Sequence, residues 1–160
     1  MKPYQIFADL DPETTQHLFS GLAEDAPMMY TQLLHAAAAA MKSRPTYLKK
    51  LTAEKRAAAI RRALARVNAD SLAEETLAVY FLECRKPLLI AWLDRVGVAH
   101  EDGSLKDDTP PQPDEDTLKA AIDEFRAGDD AMDRVLLLRA FASQSAIEWP
   151  VLDAKLAPAT

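Results

Sequence analysis

Between Ser71 and Gly103 the chain reads SLAEETLAVYFLECRKPLLIAWLDRVGVAHEDG, with two almost wholly apolar runs, LAVYFL and LLIAWL, separated only by Glu83-Cys84-Arg85-Lys86-Pro87. A surface helix carries one apolar stripe, whereas a helix that is apolar nearly all round has to be covered on several sides. The two runs are therefore expected to form adjacent, largely buried helices at the centre of the fold, with Trp92 among its most buried large side chains. Local signals set their limits. Ser71 and Glu74 have the spacing of a capping box that starts the first helix. Pro87 suits the first turn of the second, where a missing N–H is harmless, and Gly97 suits the left-handed residue that closes it.

The rest of the chain also reads as helix. Asp11-Pro12 opens a segment to about Glu24, and Pro27 opens MMYTQLLHAAAAAMK, which Arg44-Pro45 ends because the residue before proline avoids helical angles. Thr52 is placed to cap AEKRAAAIRRALARVN. Further helices follow in TLKAAIDEFRA, closed by Gly128, in DAMDRVLLLRAFAS, and after Trp149-Pro150. The run Ala36–Ala40 marks a close helix crossing, since small side chains let a neighbouring backbone approach. Few β-branched residues and no evident hairpin turn argue against strands. HEDGSLKDDTPPQPDED, rich in proline and acid, reads as a solvated loop at about 99–116. The expectation is an all-α fold, a compact irregular bundle of about seven to nine helices in a single domain, 1–160. Ala26-Pro27 and Lys86-Pro87 each open the second member of a helix pair, sixty residues apart, which suggests a short HEAT-like α-solenoid as the alternative. Their flanking residues do not match as a true repeat requires.

Composition bounds what such a bundle can do. At 160 residues and 49% hydrophobic content the chain can bury a core without disulfides or a structural metal. Glu83, Arg85 and Lys86 interrupt the only candidate for a membrane span, and no export signal is expected in MKPYQIFADLDPE. A lone cysteine, Cys84, flanked by Leu82 and Leu88, fits a near-core thiol in a reducing, cytoplasmic setting. Gly21, Gly97, Gly103 and Gly128 are scattered, so no phosphate-cradling loop exists, and no GxSxG elbow is present. Glu13 and His17 lie one helical turn apart, His35 precedes the alanine run, and His100, Glu101 and Asp102 share a turn. None makes a metal-ligand motif such as HExxH. No catalytic residue, metal or cofactor is assigned on these grounds.

Charge is the next signal. From Lys42 to Arg66 there are nine Lys or Arg against one acid, Glu54, and from Glu101 to Asp133 there are twelve acids against Lys106, Lys119 and Arg126. The overall charge of −6 conceals this polarity. On a helix through Thr52, the residues Ile60, Leu64 and Val67 share one face and Lys55, Arg62 and Arg66 the opposite one. Lys55, Arg61, Arg62 and Arg66 are thus the candidate partner-binding basic face. Nucleic acid is disfavoured, because aromatics are not interleaved with these cations and the net charge is negative. The expected function is a non-enzymatic, soluble helical protein–protein interaction or adaptor module, binding a protein partner or a second copy of itself. Its rival is a small helical enzyme or metal-binding protein whose site is assembled from scattered residues, first among them Glu13, His17 and His100.

Overall fold

A computed structural model describes residues 1–157. Among them the fold is all-α, an irregular helical bundle with ten α-helices and two very short strands. No helix among these residues is long and apolar enough to cross a membrane. The chain folds as two compact units, Lys2–Cys84 and the part from Arg85 onward together with Met1. The boundary falls between the two apolar runs, so LAVYFL belongs to one unit and LLIAWL to the other.

The first unit comprises α1 (Pro3–Asp9), α2 (Pro12–Asp25), α3 (Pro27–Ala40), α4 (Pro45–Lys50), α5 (Ala53–Leu64), a 3-10 turn (Val67–Ala69), α6 (Asp70–Val79) and a π-helical turn (Tyr80–Cys84). Proline stands at the first or second position of α1, α2, α3 and α4, where its fixed φ is already helical. Pro45 opens α4 and does not end the helix before it, since α3 already stops at Ala40, where Lys42 turns left-handed. Helix α5 packs on α1, α2 and α3, and its buried Ala57, Ala59 and Ala63 allow close approach. Ala37 and Ala38 are buried on α3, whose neighbours are α2, α4 and α5, so the crossing implied by the alanine run lies inside this unit. Ile6, Phe7, Leu18, Leu22, Leu33 and Ile60 are completely buried, and Phe7 stacks on Phe19 with ring centroids 6.2 Å apart.

Helix α6 departs from its expected start. It begins at Asp70 with no side-chain cap, and Ser71 is already inside its first turn. The Asp70 carboxylate instead accepts the Tyr4 N–H of α1 at 3.1 Å, holding α1 against α6. The far end widens into the π-turn, which places the Cys84 thiol 3.7 Å from the Gly21 carbonyl of α2.

The second unit contains α7 (Lys86–Arg95), a hairpin of β1 (His100–Glu101) and β2 (Ser104–Leu105), then α8 (Glu115–Arg126), α9 (Ala131–Ser143) and α10 (Pro150–Leu156). Its core is an aromatic chain. Trp92, fully buried, meets Phe125 at 5.1 Å and Phe141 at 5.9 Å, and Phe141 meets Trp149 at 5.0 Å. Burial in LLIAWL is narrower than its composition suggests: Trp92 and the following Leu93 are enclosed, Leu88, Leu89 and Ile90 are half-buried, and Ala91 is exposed.

The acidic loop is also more structured than expected. Asp102 at φ 51° and Gly103 at φ 93° form the left-handed pair that a two-residue hairpin needs, so the Asp-Gly pair makes the strand turn that the sequence was read as lacking. Farther along, the buried Trp149 indole donates to the Pro110 carbonyl at 2.9 Å, and the Gln112 side chain accepts the Val151 N–H at 3.0 Å. The middle of the proline-rich stretch is pinned, not free in solvent.

Candidate functional site

The scattered-residue enzyme reading meets its geometry first. Glu13 is exposed on α2 and His17 half-exposed one turn later, whereas His100 belongs to the hairpin of the other unit. Among the described residues no three His, Cys, Asp or Glu side chains gather so as to hold a metal ion. His100 is committed at both nitrogens. Its Nδ1 accepts the Gly103 N–H at 3.1 Å, so the proton sits on Nε2, which lies 2.7 Å from the Asp94 carboxylate. With Lys86 and Asp102 joined at 2.8 Å, this bond ties the hairpin to α7 and leaves His100 no lone pair for a metal or a substrate proton. His35, just before the alanine run, is exposed on α3.

The nominated basic residues divide into two kinds. Arg56 and Arg61 serve the fold. The Arg56 guanidinium donates to the carbonyls of Leu48, Lys49 and Leu51 at 3.1, 3.2 and 2.8 Å, closing the C-terminal end of α4. Arg61 does the same for α1, donating to the Phe7 carbonyl at 3.1 Å. A helix C-terminus presents unpaired carbonyls and a negative dipole end, so an arginine there satisfies both. Arg61 therefore leaves the candidate binding face: equal spacing of charge along the chain did not reveal which arginine a short neighbouring helix would need.

Lys55 and Arg62 remain exposed on α5, and Arg66 lies exposed just beyond the helix end, before the 3-10 turn. The turn joining α3 to α4, and α4 itself, add Lys42, Arg44, Lys49 and Lys50, all exposed, with Tyr47 at 50% and Met41 at 43% exposure among them. These four cations lie outside α5, so the helical periodicity that groups Lys55, Arg62 and Arg66 does not reach them. Tyr47 also supplies the aromatic that seemed missing from the basic segment. Among the described residues, none of the seven cations Lys42, Arg44, Lys49, Lys50, Lys55, Arg62 and Arg66 has an ion-pair partner.

The acidic segment behaves differently, for many of its carboxylates are matched within the second unit. Asp133, 3% exposed, takes the Arg85 guanidinium at 2.8 Å; Glu124 takes Arg95 at 2.6 Å; Asp123 takes Lys155 at 2.9 Å. Glu115 pairs with Lys119 at 2.7 Å and raises the lysine above its ordinary value. Among the described residues, Asp107 and Asp108 are exposed without an ion-pair partner, and the exposed Asp116 lies near enough to Lys119 to act on its charge.

Comparison with known proteins adds no relative. No family model matches the chain, and neither a curated protein nor a solved structure matches it. The described residues from Lys42 to Arg66 thus include seven exposed cations, with the exposed side chains of Met41 and Tyr47 near them in the chain.

Proposed function

We propose that this protein is a non-enzymatic helical interaction module, working in the cytoplasm, that binds an acidic protein partner through the basic surface of the α3–α4 turn, α4 and α5. The observation that carries the reading is the contrast inside one segment: Arg56 and Arg61 are spent on helix ends, while the seven other cations from Lys42 to Arg66 are exposed and have no ion-pair partner among the described residues. Like charges close together in the chain and exposed to solvent repel one another, and an acidic partner relieves that repulsion. Tyr47 and Met41 give such a partner apolar area beside the charges, and Tyr and Arg are the residues on which interface energy concentrates.

The test is a binding titration of fluorescently labelled poly-glutamate. Wild type should bind with an affinity that falls as salt rises, because exposed charge pairs are screened over about 10 Å at 0.1 M salt. The double substitution Arg62→Glu and Arg66→Glu should weaken binding about tenfold while the unfolding midpoint stays put. Equal affinity and equal salt slope for the two proteins would remove the basic surface from the functional account.

A further inference from the structure

We propose, resting on the reading just given, that the acidic partner is a second copy of this chain: the basic surface around the α3–α4 turn of one copy receives the acidic loop 107–116 of another. Three observations lead there.

The first is how charge divides between the units. In Lys2–Cys84 ten basic and ten acidic residues cancel, and all the basic ones except Lys2 fall between Lys42 and Arg66. From Arg85 onward nine basic and fifteen acidic residues carry the whole net charge of −6. Each copy therefore presents both a concentrated positive surface and an acidic one.

The second is the readiness of the loop. Pro110 and Gln112 anchor its middle to Trp149 and Val151, so Asp107 and Asp108 on one side and Asp116 on the other are exposed on a fixed backbone. A segment already held in shape loses little conformational freedom on binding.

The third is Lys42. Helices α3 and α7 end in the same hydrogen-bonded motif: Ser43 N–H to Ala38 carbonyl at 2.9 Å with Lys42 N–H to Ala39 at 3.2 Å, and Val98 N–H to Leu93 at 2.9 Å with Gly97 N–H to Asp94 at 3.2 Å. The motif demands a left-handed residue, and α7 supplies Gly97 at φ 73°. At the same place α3 holds Lys42 at φ 55°, a conformation that a side chain with a Cβ resists. Strain of this kind persists where the residue serves something other than stability. Here it sets an exposed cation in the α3–α4 turn, next in the chain to Met41 and two residues before Arg44.

Sedimentation velocity over a wide range of protein concentration, at about 50 mM and about 500 mM salt, reads the prediction directly. Wild type should associate at low salt and dissociate at high salt. A variant carrying Lys49→Glu and Lys50→Glu, and another carrying Asp107→Lys and Asp108→Lys, should each self-associate about tenfold more weakly, and Lys42→Gly about threefold. Mixing the two double variants should restore association, because the intact basic surface of one meets the intact loop of the other. A wild type that stays monomeric at every concentration and salt, or double variants that fail to complement, would overturn the proposal. The poly-glutamate titration separates the failures: a monomer that binds poly-glutamate through Arg62 and Arg66 sinks self-association alone, and one that binds none sinks the basic-surface reading as well. Tighter binding of duplex DNA than of poly-glutamate would replace a protein partner with a nucleic acid and overturn both.

Discussion

Single residues carry the sharpest contrasts. Lys42 at the left-handed end of α3 predicts that Lys42→Gly stabilises the protein by about 0.5–1 kcal/mol in denaturant unfolding, the relief of left-handed strain less the backbone entropy glycine adds. No change, or a loss, would mean that the lysine is not strained. Trp92 behaves as its place in LLIAWL indicated. Completely buried between Phe125 and Phe141, it should cost about 3–5 kcal/mol on substitution by alanine. Its indole N–H is enclosed without a hydrogen-bond partner among the described residues, so Trp92→Phe, which removes that donor along with one ring, should be clearly milder. Asp11 caps α2, accepting the Thr14 N–H at 2.7 Å, and that bond holds its carboxyl below the ordinary value of 3.8. A lowered value means stability that is present above the unfolded carboxyl's titration and lost as pH falls through the folded one. Asp11→Ala should therefore cost about 1 kcal/mol near neutral pH. The difference from wild type should shrink as the solution is acidified below the ordinary carboxyl range. A constant difference across that range would show that the charge contributes nothing to the cap.

At the scale of elements, what could be read in the sequence was what local chemistry alone decides. Asp11 and Thr52 cap the helices they were expected to cap, and Pro27, Pro87 and Pro150 stand in opening turns because a missing N–H is harmless only there. The elements that escaped are those whose stability is tertiary. Helix α1 has seven residues and α4 six, too few to be stable in isolation, and each is completed by an arginine from α5 reaching its last carbonyls. No pattern within PYQIFAD or PTYLKK announces that partner. Ser71 failed as a cap for the reverse reason, since Asp70 one residue earlier found a use in the Tyr4 N–H that no local rule encodes. The candidate site was half legible. The charge of Lys42–Arg66 was visible, but which cations point to solvent depended on helix ends that the same arginines create.

For the whole molecule, the account holds that the fold consumes some cations of the basic segment and offers the rest to a partner. The neighbours Arg61 and Arg62 divide along that line: Arg61 donates to the Phe7 carbonyl at 3.1 Å, and Arg62, next in the chain, is exposed. Measuring both properties on both variants is the most direct test. Arg61→Gln and Arg62→Glu would each be unfolded in denaturant and titrated with labelled poly-glutamate at low salt. The account predicts that Arg61→Gln loses about 1–2 kcal/mol of stability, as expected for a lost charged hydrogen bond at a helix end, while its affinity stays near that of wild type. It predicts the reverse for Arg62→Glu: stability within about 0.5 kcal/mol of wild type and binding several-fold weaker. An Arg62→Glu protein that unfolds more easily yet binds poly-glutamate as wild type does would contradict the division, and with it the claim that this surface exists to be bound.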